Sequence, residues 1–159
     1  MGDFLKCIYD RWVAQGDDSI QIREFESLRA RIRGDDGGFC TVSGSCLGRF
    51  FIVEPDGTIA HCDLFDGDDR YTLGDITRED FASIRNTERL QSLKTDWRED
   101  RNQMASCPEF AVCQGWCPHE RYTSKRHSFS HTPSCCGLRD LIEHIRSKSP
   151  AREGQRAGR

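Results

Sequence analysis

Nine cysteines stand at positions 7, 40, 46, 62, 107, 113, 117, 135 and 136. Cys40 and Cys46 enclose five residues, and Cys46 and Cys62 enclose fifteen. Cys107-x5-Cys113-x3-Cys117 is a dense cluster, and Cys135 follows after a gap of seventeen. Thiolate sulfur is the preferred donor for zinc and for the iron of iron–sulfur clusters. A zinc knuckle brings a C-x2–4-C pair that grips one ion. Gaps of five and fifteen suit a cubane, whose irons are spread over a larger object. Spacing alone leaves both readings open.

The elements that must carry these thiols come from periodicity and turn chemistry. Phe4, Leu5, Ile8, Tyr9, Trp12 and Val13 recur at helical spacing across residues 3–15, with Asp3 at the start and Gly16 at the end. Cys7 falls on the opposite, polar side. Ser19-Ile20-Gln21-Ile22-Arg23 alternates like a short strand, and residues 24–33 form a second helix through Phe25, Leu28 and Ile32. Gly34-Asp35-Asp36-Gly37-Gly38 is a break and the main boundary. Residues 49–62 read as a β-hairpin around Pro55-Asp56-Gly57, where proline presets φ and glycine accepts a positive one. A loop follows at Gly67-Asp68-Asp69, then a helix from Thr77 through Phe81 and Ile84, and another through Leu90, Leu93 and Trp97. Residues 100–136 are rich in cysteine and proline and show little periodicity, as expected where ligands rather than a core fix the backbone. Leu138, Leu141, Ile142 and Ile145 mark a last amphipathic helix, and the basic tail 146–159 reads as disordered. The fold class is α+β: a small cysteine-rich module with a β-hairpin, flanking helices and metal-stapled loops.

Composition narrows the function. Of 159 residues, 36% are hydrophobic with cysteine included and 31% are charged, so the core is modest and a metal staple is of use. A net charge of −3 provides no electrostatic case for nucleic acid. No run of 18 apolar residues exists, so no membrane span is expected. The start Met1-Gly2-Asp3-Phe4-Leu5-Lys6 has an early acid and no apolar stretch, unlike a secretory signal. The expected location is therefore cytoplasmic, with cysteines kept as thiols or metal ligands. An odd cysteine number also argues against a disulfide framework. Residues 54–80 carry nine acids against two arginines, read first as a solvated acidic face and second as a peptide- or cation-binding one.

Taken together, Cys46-x10-Gly57-x4-Cys62, Cys107-x5-Cys113-x3-Cys117 and Cys135 resemble the SPASM domain. That domain is the auxiliary-cluster module of radical S-adenosylmethionine (SAM) peptide-modifying enzymes, and the likeness is closest to the anaerobic sulfatase-maturating enzymes. Leu73-Gly74-Asp75-Ile76 and Cys135-Cys136-Gly137-Leu138-Arg139 match further family runs. Residues 1–33, with Asp10-Arg11-Trp12 and Ile20-Gln21-Ile22-Arg23-Glu24-Phe25, resemble the end of the catalytic barrel. Residues 34–145 then form the iron–sulfur domain. The resemblance implies one or two [4Fe–4S] clusters, with zinc as the alternative. It assigns Cys40, Cys46, Cys62 and Cys117 to a first cluster, and Cys107, Cys113 and Cys135 to a second. The remaining cysteine of the second set would stand at position 104, which is Met104. A thioether brings no charge to offset ferric iron, so that cluster is open, absent, or completed by Cys136 or a histidine.

Radical SAM catalysis needs a C-x3-C-x2-C triplet. Cys113-x3-Cys117 begins one, but position 120 is Glu120. The expected role is therefore an accessory one, not catalytic alone: electron relay and substrate seating beside a separate radical SAM protein acting on a peptide or protein. A stapled binding module without redox function is the alternative. Cys62-Asp63-Leu64-Phe65 keeps a family context in which the aspartate is proposed as a general base, so Asp63 is the candidate catalytic residue, weighed against a plain surface aspartate. His61, His119, His127, His131 and His144 are not spaced as a metal set and read as surface residues, with His119 and His127 the second-choice candidates for an open iron. Cys7 reads as a free thiol, Gly115 as a turn former, and Trp12 and Trp97 as packing residues.

Overall fold

The computed structural model describes residues 2–127 and 131–148. It is an α+β module of helices around a small antiparallel sheet. Two hydrophobic cores organise it. The first joins both ends of the described chain. Helix α1 (Gly2–Gln15), helix α2 (Arg23–Ile32) and the last helix, α7 (Arg139–Lys148), meet through Tyr9, Phe25, Leu28, Leu141, Ile142 and Ile145, all buried. Tyr9 and Phe25 pack edge to face with centroids 5.3 Å apart. The apolar stripe expected on α1 is narrower than its sequence suggests: Phe4 and Val13 face solvent, while Leu5, Ile8 and Trp12 pack partly against the core. Cys7 is exposed on α1.

Residues 19–23 do not form the expected strand. Asp17 accepts hydrogen bonds from the Ser19 amide (2.9 Å) and hydroxyl (2.6 Å), and Ile20 N–H closes onto the Asp17 carbonyl (3.1 Å). Trp12 Nε1 then donates to the Ile20 carbonyl (2.8 Å). An Asx turn and a helix side chain thus take the backbone groups that a strand would need.

The second core lies under the sheet. Strands β1 (Ile52–Val53) and β2 (Thr58–Ala60) form the hairpin, paired Ile52↔Ala60 and Val53↔Ile59. Glu54 N–H donates to the Thr58 carbonyl (2.8 Å), and Asp56 accepts from the Thr58 amide (2.9 Å). Gly57 has φ 94°, and a Cβ there would stand 2.8 Å from Thr77 Cγ2, so the turn requires glycine. A third strand, β3 (Thr72–Asp75), was not expected from alternation. It pairs with β2 antiparallel, with an irregularity between Ile59 and Ala60.

Helix α3 (Phe81–Arg85) starts later than Thr77, because Asp75 captures the Thr77 amide (2.8 Å) and Asp80 is the true cap, accepting from Ser83 N–H (2.7 Å). Helix α4 (Glu88–Met104), capped by Thr87, lays Leu90, Leu93, Trp97 and Met104 onto Ile59, Phe65, Leu73 and Ile84.

The stretch 100–136 is more helical than its lack of periodicity predicts. It holds the end of α4, then α5 (Phe110–Cys113) and α6 (Pro118–His127). Arg121 is the buried residue of α6, so that helix shows no apolar stripe to read. Helix α7 runs through Lys148, three residues into the tail expected to be disordered; the rest of that tail, 149–159, lies outside the described residues. Among the described residues no helix is long and apolar enough to cross a membrane.

Ile142 is fully buried where α1, α2 and α7 meet. Ile142→Ala should lower the unfolding free energy by about 2–5 kcal/mol in urea denaturation, as large-to-small core changes do.

Candidate metal centre

Eight of the nine cysteines gather into two groups. Cys40 opens a short helical turn (Cys40–Val42), Cys46 follows it, Cys62 leaves β2, and Cys117 immediately precedes α6. These four thiols line one cavity of about 490 Å³, with Asp63 and Phe65 beside them. Burial pushes the Cys46 thiol up to about 12, and its neighbours Cys117, Cys40 and Cys62 add to the rise. Burial likewise raises Cys62 to about 11 and raises Cys117.

The second group is Cys107, after α4; Cys113, ending α5; and the adjacent pair Cys135 and Cys136 before α7. Cys107 and Cys135 are in side-chain contact, and Cys107 also feels Cys113. Cys136 donates a hydrogen bond to Cys113, which lowers the Cys113 thiol and raises Cys136. Among the described residues every one of these cysteines is unbridged.

A backbone pattern runs through both groups. The amide two residues ahead faces the sulfur: Leu64 for Cys62, Glu109 for Cys107, Gly115 for Cys113, His119 for Cys117, Gly137 for Cys135 and Leu138 for Cys136. Gly115 N–H lies 3.4 Å from Cys113 Sγ, and Gly137 N–H lies 3.3 Å from Cys135 Sγ. Such amides favour the thiolate and tune metal-bound sulfur. A donor set of thiols, most of them offered an amide, fits an anionic iron–sulfur cluster.

Cys113 and Cys117 lie close in sequence yet belong to different groups. The backbone between them makes this possible. Gln114, Gly115 and Trp116 are all left-handed, with φ of 53°, 88° and 63°. A Cβ on Gly115 would stand 2.9 Å from Met104 Cε and 3.3 Å from Trp97 Cη2, so α4 presses directly on this turn. Two non-glycine residues in this region cost about 1–2 kcal/mol each. Arg101 holds the turn by donating to the Gln114 carbonyl (3.0 Å) and Oε1 (2.7 Å).

Two other arginines do the same elsewhere. Arg31 donates to the carbonyls of Ala111 (2.7 Å) and Val112 (3.3 Å), holding α5. Arg121, 4% exposed, donates to the carbonyls of Thr132 (2.9 Å), Pro133 (2.9 Å) and Cys135 (3.4 Å), holding the segment that carries Cys135. Sequence reading missed all three, because hydrogen bonds to main-chain carbonyls far along the chain leave no pattern of residue types to find.

Other candidate residues are placed as follows. Asp63 is exposed at the cavity, with Oδ1 accepting from Cys62 Sγ at 3.2 Å. Met104 is 1% exposed and belongs to the second core. His61 is buried, not on the surface, and its Nδ1 has no hydrogen-bond partner. His119 sits edge-on to Phe65, centroids 5.0 Å apart, so the ring joins an aromatic cluster with Tyr122. His144 pairs with Asp10 and His131 with Ser124. Among the described residues no three His, Cys, Asp or Glu side chains converge as ligands of a single ion.

Residues 40–114 match the SPASM family, an iron–sulfur cluster-binding domain. The chain is 29% identical over 123 residues to a serine-type anaerobic sulfatase-maturating enzyme of Bacteroides thetaiotaomicron, covering 77% of this chain and 29% of that protein. It is 22% identical over 147 residues to a cysteine-type anaerobic sulfatase-maturating enzyme of Clostridium novyi, covering 91% of this chain and 39% of that one. The solved structure of hexahistidine-tagged anSMEcpe with bound AdoMet superposes with a TM-score of 0.65 at 25% identity, over 90% of this chain and 38% of the other. This chain therefore spans about a third of the length of the proteins it matches.

The raised thiols set a pH dependence for the metal-free chain. Folded Cys46 and Cys62 hold protons that the unfolded chain surrenders near pH 9. Their contribution to stability is complete below pH 9 and is lost as pH rises towards 11–12. The Tm of the reduced, metal-free protein should fall from pH 9 upward, and less steeply in Cys46→Ser. Arg121→Met removes the arginine donors from the carbonyls of residues 132, 133 and 135, and should cost about 1–3 kcal/mol in urea denaturation.

Proposed function

We propose that this chain is the auxiliary iron–sulfur part of a radical SAM system that modifies a peptide or protein. Cys40, Cys46, Cys62 and Cys117 hold one [4Fe–4S] cluster. Cys107, Cys113 and Cys135 hold a second. The observation that carries this reading is the gathering of eight thiols into two groups, six of the sulfurs offered an amide from two residues ahead. A single tetrahedral zinc needs sulfurs about 2.3 Å from one point. Thiols drawn from four stretches of chain, with gaps of five and fifteen residues rather than a close pair, favour the larger inorganic core. The match of residues 40–114 to an iron–sulfur cluster-binding domain supports the same choice.

Within this reading residues 34–145 form the cluster domain, and residues 1–33 form the segment that meets a catalytic barrel. The catalytic partner is a radical SAM protein bearing the C-x3-C-x2-C triplet that this sequence lacks, supplied as a separate chain or as another part of a longer one. A bound [4Fe–4S] cluster supplies one-electron transfer. The protein's own residues shape the surroundings. Phe50 and Leu64, 56% and 50% exposed, give the mouth of the first cavity an apolar rim suited to a peptide. Asp63 lies at the same mouth and is the candidate base for a substrate proton. Once Cys62 is a metal-bound thiolate it no longer donates to Asp63, which frees the carboxylate. The location that keeps these thiols reduced is the cytoplasm.

The test is composition. Protein purified without oxygen should be brown and contain iron and sulfide in near-equal amounts, in excess of zinc. Cys117→Ala should lose about half of both, with loss of one electron paramagnetic resonance signal. Colourless, zinc-loaded protein would favour a stapled binding module and overturn the redox reading.

A further inference from the structure

The second group raises a specific question of ligation. Only three of its thiols have an assigned place, and a [4Fe–4S] cluster has four irons to hold. The family resemblance implies a further cysteine three residues before Cys107, and this sequence has Met104 there. Its side chain is not available: it is 1% exposed, packs in the second core, and sets its methyl against Gly115. A thioether also cannot exchange a proton for a metal bond.

We infer that Cys136 is the fourth ligand of the second centre. Five observations on the second group support this. Cys136 Sγ is in hydrogen-bond contact with Cys113 Sγ, while its neighbour Cys135 is in contact with Cys107. The adjacent cysteines thus each close a sulfur pair, Cys135 with Cys107 and Cys136 with Cys113. Gly137 N–H faces Cys135 Sγ and Leu138 N–H faces Cys136 Sγ, so consecutive amides of one turn serve consecutive sulfurs. Gly137 has φ 92°, a conformation that lets this turn form without strain. Arg121, through the carbonyls of residues 132, 133 and 135, holds the segment in position. Finally, Cys136 touches both hydrophobic cores, so its position is set from two sides. Ligation exchanges the S–H bond of Cys136 for an S–Fe bond and releases the proton to solvent; no electron moves in that exchange.

This inference rests on the reading that the second group holds a cluster, and the test separates the two. The full chain is reconstituted without oxygen using ferrous iron and sulfide, and then analysed for iron, sulfide and electron paramagnetic resonance. Cys136→Ala should either lose about half of the iron or retain the second centre as a three-iron cluster. Cys136→Ser should retain iron but shift the reduced signal and the midpoint potential of one centre, a change that a purely packing role for residue 136 does not produce. Met104→Leu, which keeps the core filled, should leave iron and spectra unchanged. Full iron with unchanged spectra in both Cys136 variants, together with loss of iron in Cys107→Ala, overturns Cys136 as a ligand while the second cluster stands. Iron unaffected by Cys107→Ala and Cys113→Ala overturns the second centre itself, and Cys136 with it.

Discussion

The arrangement depends on one short piece of backbone. Cys113 and Cys117 are four residues apart, and each serves a different thiol group. Three successive left-handed residues, Gln114, Gly115 and Trp116, reverse the chain between them. A continuous helix would place residues four apart on one face, and both sulfurs would then point into one site. The strained turn divides them. Its cost, about 1–2 kcal/mol for each non-glycine residue, is offset by Arg101 on the Gln114 carbonyl and by the packing of Trp97 and Met104 over Gly115.

The same principle recurs around both groups. Buried carbonyls in irregular segments need donors, and here arginines on neighbouring helices supply several of them. Arg31 on α2, Arg101 on α4 and Arg121 on α6 each donate to the main chain of a cysteine-bearing segment. The two hydrophobic cores lie on either side. The first, built from α1, α2 and α7, backs Cys113; the second, built from the sheet and α4, backs Cys62; Cys136 packs against both. A modest amount of apolar burial is thus placed where it positions sulfur. The amides that follow the cysteines then supply the hydrogen bonds that a buried thiolate needs.

Much of the fold was legible before the structure. The hairpin at Pro55-Asp56-Gly57 and the helices through Leu28, Trp97 and Ile142 follow from turn chemistry and period, and each is present. The errors have physical causes. Residues 19–23 alternate, but Asp17 and Trp12 take their backbone groups. Strand β3 carries Gly74 and Asp75, poor strand formers, and exists because β2 offers it an edge to pair with. Helix α6 buries an arginine rather than an apolar stripe, so period could not reveal it.

By itself the sequence determined the chemistry on offer: many thiols, no catalytic triplet, an aspartate beside Cys62, and a methionine at position 104. These are properties of residue type and spacing, and they need no coordinates. Only the tertiary structure decided which sulfurs share a site, that Met104 is sealed in a core, and that Cys136 stands against Cys113. Contacts between residues far apart in the chain depend on how helices and turns close on one another. That closure is set by packing and by main-chain hydrogen bonds, neither of which leaves a periodic mark in the sequence.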